Sequence, residues 1–132
     1  MKADLHCHSH FSDGKHTANF LIERALTNDV THLALTDHDC TNVHENLQGS
    51  QPLSIIKGVE ISCAWQNHEL HIVGLSINPQ HAQLENLLSS QQEKRRQRVR
   101  EIDAKLVKIG IQGLLPYMSD LSAVAQKRSH IS

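Results

Sequence analysis

The chain has 132 residues, with thirteen Lys and Arg against fourteen Asp and Glu, for a formal net charge of -1. That length suits one small domain and falls short of a large α/β barrel, and the balanced charge gives no global case for wrapping DNA or adhering to a membrane. No apolar run approaches a membrane span and Met1-Lys2-Ala3-Asp4 opens no signal peptide, so a cytoplasmic chain is the default expectation.

Ala3 to His8 reads as a short strand whose alternation sets His6 and His8 on one face and Leu5 and Cys7 on the other. Ser9 to His16 is a polar loop. Thr17 fits the N-cap of a helix from about Ala18 to Thr27, with Phe20, Leu21, Ala25 and Leu26 on its buried side. Thr31 to Thr36 is nearly apolar throughout, as in a parallel strand covered on both faces. A short helix is expected over Asn42 to Gln48, ended by Gly49 and Pro52. Leu53 to Ile56 and Val59 to Ile61 are strand-like, interrupted by Lys57-Gly58, and Leu70 to Leu75 is a further strand. Alternating β and α pieces suggest βαβ units.

After Pro79 the pattern changes. Leu84, Leu87, Leu88, Val99, Ile102, Leu106 and Ile109 mark a helical stripe from about Gln80 to Ile109, with a very polar middle from Gln91 to Arg98. Gly110, Gly113 and Pro116 break it, and a second short helix is expected over Ser119 to Ala125.

Eleven histidines are the anomaly of the composition. Histidine is the commonest metal ligand, and position decides whether the excess matters. Four clusters of ligand-type residues fall at expected strand ends: His6, His8 and Asp13; Asp37-His38-Asp39; Glu60; and His71 with His68 and Glu69. In parallel α/β folds functional groups gather at the carboxyl rim. Imidazoles mixed with carboxylates suit Mn²⁺, Fe²⁺ or Zn²⁺ better than Ca²⁺ or Mg²⁺. The two oxygens of Glu60 suit it to bridge a pair of ions roughly 3.5–4 Å apart, an arrangement that clamps both sides of a phosphoryl displacement. Each cluster alone is an ordinary strand or turn; their joint order is the signal. His10, His16, His32, His44, His68 and His81 lack such support and read as surface or supporting residues. Cys7, Cys40 and Cys63, odd in number and without a C-x-x-C pair, read as reduced, packed thiols.

Asp4-Leu5-His6-Cys7-His8-Ser9-His10-Phe11-Ser12-Asp13-Gly14 resembles the first motif of the PHP (polymerase and histidinol phosphatase) family. Thr36-Asp37-His38-Asp39, Gly58-Val59-Glu60-Ile61-Ser62 and His71-Ile72-Val73-Gly74 resemble the next three, in order, across residues 4 to 75. Trp65 to His71 and Gln92 to Arg98 narrow the resemblance to the TrpH-like bacterial branch, whose members are 3',5'-nucleoside bisphosphate phosphatases and 5'-to-3' exoribonucleases. The resemblance implies an α/β fold, the N-terminal part of a distorted (β/α)7 TIM-like barrel, with a half-barrel over 1–79 and the start of a helical insertion over 80–132. It implies that His6, His8, Asp13, His38, Glu60 and His71 are metal ligands, with Glu60 bridging, and that two to three divalent ions, Mn²⁺ foremost with Fe²⁺ or Zn²⁺ as alternatives, complete a family site. It also implies that Arg128 and His130, in an R-x-H element, contact the substrate phosphate. Lys94, Arg95, Arg96, Arg98 and Arg100 offer further phosphate contacts, but a helical charge run of this kind reads more readily as a solvated face.

The implied activity is hydrolysis of nucleotide 3'-phosphates (3',5'-bisphosphates) or RNA 5' ends by attack of a metal-bound hydroxide. Histidinol-phosphate hydrolysis and a polymerase-associated exonuclease are the other activities of the family. Family members continue past this point to a later A-H-P-G histidine and a D-x-H pair, so a chain ending at Ser132 is expected to be an incomplete site. An inactive fragment that binds metal weakly, or pairs with other chains through an exposed half-barrel edge, is the competing expectation. The expected partners are a small nucleotide or short RNA, with neither a membrane nor a DNA-binding module.

Overall fold

The computed structural model describes residues 1–47, 51–113 and 115–118. Four strands form one mixed sheet in the order β1-β2-β3-β4. β1 (Ala3–Cys7) and β2 (His32–Leu35) run parallel, joined by α1 (Ala18–Thr27), and β2 runs parallel to the first part of β3 (Ser54–Trp65). Between them lies the single turn α2 (Asn42–Glu45). The α/β start of a barrel expected from the sequence is therefore present.

α1 begins where its cap is written. The Thr17 hydroxyl accepts the Phe20 amide at 3.3 Å. Its buried face is Ala18, Ile22 and Ala25, packed on Val30, Leu33, Leu35, Val43 and Leu53. Phe20 and Leu26, expected inside, are exposed instead. The face one residue further round meets the sheet, and Phe20 stacks on His16 with ring centroids 4.1 Å apart.

β3 is one continuous strand, where an interruption at Lys57-Gly58 was expected. Gly58 is there for close approach. A Cβ on it would stand 2.7 Å from Thr36 Cγ2 and 3.0 Å from the Gly74 carbonyl oxygen, so the strand runs through only without a side chain. A second departure follows. β4 (His68–Leu75) returns antiparallel to β3 through the two-residue turn Gln66-Asn67, at φ 47 and 64, the positive angles that match hairpin twist. The βαβ alternation thus gives way to a hairpin, and Glu60 and His71 lie inside strands rather than at strand ends.

α3 (Ala82–Lys108) is a single 27-residue helix. Gly110, at φ 82, ends it: its amide reaches the Val107 carbonyl at 3.0 Å and Ile111 reaches Leu106 at 3.0 Å, a Schellman closure. Of the expected stripe only Leu88 and Val99 are fully buried, while Leu87 and Ile109 are exposed. Pro116, expected as a breaker, sits in the first turn of α4 (Leu115–Met118), where its missing N–H costs nothing. Gly49, the helix expected over Ser119 to Ala125, and Arg128 and His130 lie outside the described residues. No helix among the described residues is long and apolar enough to cross a membrane.

Candidate metal centre

The carboxyl ends of β1 and β2 and the middle of the β3–β4 hairpin meet at one rim. A bulge shapes the first contribution. Asp4 pairs with Leu33 but Cys7 with Leu35, so β1 carries one extra residue ahead of Cys7. Bulges re-aim side chains beside active sites, and here the released His6 amide turns to the Asp4 carboxylate at 3.3 Å. His6 and His8 emerge with their Nε2 atoms 3.0 Å apart.

The loop after β1 is gathered around Asp37, which is fully buried. Its carboxylate accepts the Ser9 amide at 2.7 Å, the Ser9 hydroxyl at 2.6 Å and the Ser12 hydroxyl at 2.6 Å. Three donors satisfy a buried carboxylate and fix the loop that carries Asp13. Gly14 lets that loop return, since a Cβ there would fall 2.2 Å from the His8 carbonyl oxygen. Asp37 therefore builds the site without facing it.

β3 leaves its partner β2 where Glu60 appears. The Glu60 amide bonds the Asp37 carbonyl at 3.0 Å and the Asp39 amide bonds the Glu60 carbonyl at 2.9 Å, an isolated parallel bridge that sets His38 beside Glu60. Asp39 turns with φ 50. Its carboxylate accepts the Ser62 amide at 2.9 Å and two guanidinium bonds from Arg95, Nε at 2.9 Å and Nη2 at 2.5 Å. Gln91 and Gln92 of α3 add bonds to the Ser62 and Asp39 carbonyls. Arg95, expected on a solvated face, is instead a half-buried cation closing α3 onto the rim, because Asp39 would otherwise be an unpaired buried charge. Lys94, Arg96, Arg98 and Arg100 are exposed.

At the centre stands Glu60, nearly buried. Its Oε2 lies 3.0 Å from His6 Nε2, 2.7 Å from His8 Nε2 and 3.4 Å from His38 Nδ1, and its Oε1 lies 3.2 Å from His71 Nδ1. Asp13 Oδ1 is 2.6 Å from His8 Nδ1, and its Oδ2 is 3.6 Å from His38 Nε2. All six residues singled out in the sequence come together. They form three overlapping groups, His6/His8/Glu60, His8/Asp13/His38 and His38/Glu60/His71, each with donor atoms within 4.8 Å of one another. Burial would push the Glu60 carboxyl up, but the bond from His6 and the neighbouring charges of His38, His8 and His6 outweigh it and hold the group below its usual range.

The donor set fits a divalent cation. Two imidazole nitrogens 3.0 Å apart repel if both turn lone pairs, or both turn protons, toward each other. A shared cation removes that conflict. Right-angle ligands on an ion with bonds of about 2.1 Å are about 3.0 Å apart; the His6, His8 and Glu60 atoms are separated by 3.0, 3.0 and 2.7 Å.

The cysteines take no part in these groups. Burial first, with Asp4 and Asp37 nearby, pushes the Cys7 thiol up to about 11. Burial and the Asp37 charge push Cys40 up to about 12. Both stay neutral and pack. His44, read as a surface or supporting residue, is buried with Nε2 2.8 Å from the Gly58 carbonyl oxygen, and so pins β3 just ahead of Glu60. The roles of Asp37, Asp39, Arg95 and His44 had no isolated signal in the sequence; T-D-H-D alone hinted that its aspartates flank a ligand.

Comparison with known proteins agrees with this architecture. The PHP domain model matches residues 4–126, and the chain belongs to that family. It is 43% identical over 115 residues to the 5'-3' exoribonuclease Rnm of Salmonella typhimurium, covering 83% of this chain and 39% of that protein. It is 41% identical over 113 residues to the 3',5'-nucleoside bisphosphate phosphatase of Chromobacterium violaceum, covering 83% of this chain and 40% of that protein. The chain thus spans about two-fifths of the length of the curated relatives it matches. An amidohydrolase from Chromobacterium violaceum, solved with bound sulfate, superposes with a TM-score of 0.84 at 36% identity, over 98% of this chain and 48% of that one. A chain from Bifidobacterium adolescentis shares the fold at a TM-score of 0.69 and 23% identity, over 82% of this chain and 39% of that one.

Proposed function

We propose that His6, His8, Asp13, His38, Glu60 and His71 are the divalent-metal ligands of a phosphohydrolase that acts in the cytoplasm on nucleotide 3'-phosphates, as in 3',5'-bisphosphates, or on RNA 5' ends. The observation that carries this is Glu60, whose two oxygens are shared among four imidazoles. A carboxylate so surrounded would hold cations together with those imidazoles. Mn²⁺ is the favoured ion, because mixed imidazole and carboxylate donors at right-angle spacing suit a six-coordinate transition metal. Ions held there would supply a nucleophile at neutral pH and neutralise charge on a phosphoryl group.

The chain's own residues do the rest. With a cation bound, Asp13 Oδ1 would hold the proton on His8 Nδ1 and so leave the Nε2 lone pair to the cation that His8 would share with Glu60, while Asp13 Oδ2 faces His38. Ser9 and Ser12 hold the loop against Asp37, so Asp13 keeps its place. Residues 80–132 are read as an insertion, whose helix α3 meets the rim through Arg95. Arg128 and His130 are the proposed phosphate contacts on the strength of the R-x-H resemblance.

The relatives' names support the substrate class: an exoribonuclease and a bisphosphate phosphatase share a nucleotide phosphate ester as the bond cut. Mn²⁺ titration followed by electron paramagnetic resonance tests the reading, together with phosphate release from adenosine 3',5'-bisphosphate. Glu60→Gln keeps the shape and removes the bridging charge. It is expected to weaken Mn²⁺ binding by at least about tenfold and to abolish metal-dependent phosphate release. Undiminished binding in Glu60→Gln would remove Glu60 from the centre and the proposal with it.

A further inference from the structure

Five cations crowd the stretch from Lys94 to Arg100, and three are already engaged within the protein. Arg95 closes on Asp39 and, at 2.9 Å, on the Ser62 hydroxyl. Arg96 Nε and Arg100 Nη2 reach the two oxygens of Glu93 at 2.9 and 2.6 Å. Those bonds hold the Glu93 carboxyl below its usual range, Arg96 contributing most. Lys94 and Arg98 are different. They stand four residues apart and so share a helix face. Among the described residues, Lys94 has only the neutral Gln91 amide oxygen, at 3.2 Å, and Arg98 has no polar partner.

Both line a cleft of about 320 Å³ between α3 and the tip of the β3–β4 hairpin, with Gln91, Asn67, His68 and Glu69 around it. The cleft starts beside the metal centre. Glu69 Oε1 is 3.4 Å from His71 Nε2, and Ser62, in the cleft wall, is the cross-strand partner of His71. Its acids do not cancel its cations: Asp39 is neutralised by Arg95, leaving Glu69 against Lys94 and Arg98. Two cations with no ion-pair partner among the described residues, beside amide and imidazole groups, suit a phosphate dianion.

We infer that this cleft is a phosphate subsite in which Lys94 and Arg98 hold the phosphate of a nucleotide substrate that is not hydrolysed. The inference rests on the nucleotide phosphohydrolase reading and adds what that reading leaves open: how a bisphosphate is told from a monophosphate. The same chemistry fits a terminal phosphate monoester or an internucleotide phosphodiester of short RNA. A lone mononucleotide phosphate would fill only the metal centre. A second phosphate would reach the cleft past His71 and Glu69.

Equilibrium binding to the full chain, with and without Mn²⁺, tests this with adenosine 3',5'-bisphosphate, adenosine 3'-monophosphate and a 5'-phosphorylated trinucleotide. The variant is Lys94→Ala with Arg98→Ala, on an exposed helix face where alanine favours the helix; circular dichroism checks the fold. The native chain should prefer the bisphosphate to the monophosphate by about tenfold or more, a preference that declines with salt. The double variant should lose that preference while its monophosphate and Mn²⁺ affinities stay unchanged. Loss confined to the trinucleotide arm would assign the subsite to RNA backbone. Equal bisphosphate binding by native and variant chains, with no trinucleotide loss, would overturn the inference. So would an equal loss for the monophosphate. Failure to bind Mn²⁺ with a persisting charge-dependent preference would instead sink the metal-centre reading and leave the subsite standing.

Discussion

His44 shows how one buried side chain can tune a site it does not enter. Its Nε2 lies 2.8 Å from the Gly58 carbonyl oxygen and 3.2 Å from the Gly58 amide, while Nδ1 is buried with no hydrogen-bond partner among the described residues. Charging this ring would place a proton on an atom with nothing to receive it. Burial accordingly pushes the His44 pKa down, against the bond to Gly58, with Lys57 adding to the depression. The sign follows from linkage. A folded value below the unfolded one means that unfolding takes up protons as the solution is acidified. His44 therefore leaves stability intact above the unfolded value of about 6.5 and costs stability as pH falls from there through the folded value. Glu60 acts in a lower window: its depressed carboxyl contributes stability that is lost as pH falls below the ordinary carboxylate range. In metal-free protein, His44→Gln should flatten the decline of the urea midpoint between about pH 6.5 and 5 relative to the native chain. A glutamine amide can serve both the donor and the acceptor of Gly58 without titrating. Parallel pH slopes for the two proteins would show that His44 carries none of the acid sensitivity.

At the scale of the elements, α3 is joined to the rim, among the described residues, by the Arg95–Asp39 ion pair, the Arg95–Ser62 hydrogen bond and two glutamine bonds. The Arg95–Asp39 pair is almost out of water, with side-chain exposures of 11% and 1%. Removing one partner of such a pair strands the other, at a cost of about 3–5 kcal/mol. Arg95→Ala should lose stability in that range by urea unfolding. Arg95→Met combined with Asp39→Asn should be milder, because asparagine tolerates the positive φ of Asp39 and still accepts the Ser62 amide. A loss under about 0.5 kcal/mol for Arg95→Ala, the scale of an ordinary surface substitution, would mean that α3 is not held there. The same elements mark what the sequence could say. Local signals worked: Thr17 capped α1 where expected, Gly110 ended α3, and the period-2 spacing of His6 and His8 put them on one face. Long-range geometry did not. Arg95 and Asp39 are 56 positions apart, so a charge run read as solvated face. Gly58 resembled a break because glycine is poor in strands, and only its nearness to Thr36 and Gly74 explains it. The Gln66-Asn67 hairpin lacks the glycine that usually announces such a turn. The six candidate ligands were legible for the opposite reason: each donor sits in a short motif, and the motifs keep the order in which the strands meet.

Taken whole, the molecule is covered unevenly. β2 is buried along most of its length, as a central strand should be, while β1 and β4 flank the sheet and are largely exposed. β4 carries Leu70, Ile72, Val73 and Leu75 at 43%, 55%, 37% and 40% exposure, and Glu69 is its one charged residue. Among the described residues no strand pairs with its outer edge. Edge strands of stable monomers are usually protected by lysine, proline or a bulge; β4 has none of these, and its register with β3 is unbroken from Gly58–Leu75 to Trp65–His68. An open, regular edge with apolar side chains on both faces is a template for another strand, and a second copy of this chain offers the same edge with its unpaired amides and carbonyls. Self-association through β4 is therefore expected of the 132-residue chain. Light scattering across a concentration series should show mass rising above the monomer. Ile72→Lys, on the opposite face of β4 from the neighbouring candidate ligand His71 and paired with Ile61 across the hairpin, should shift that mass back toward the monomer, since an edge lysine resists burial between two sheets. The Mn²⁺ affinity of the variant should match that of the native chain, which separates edge pairing from damage to the rim. A native chain that stays monomeric over the series would show that β4 is not a pairing edge.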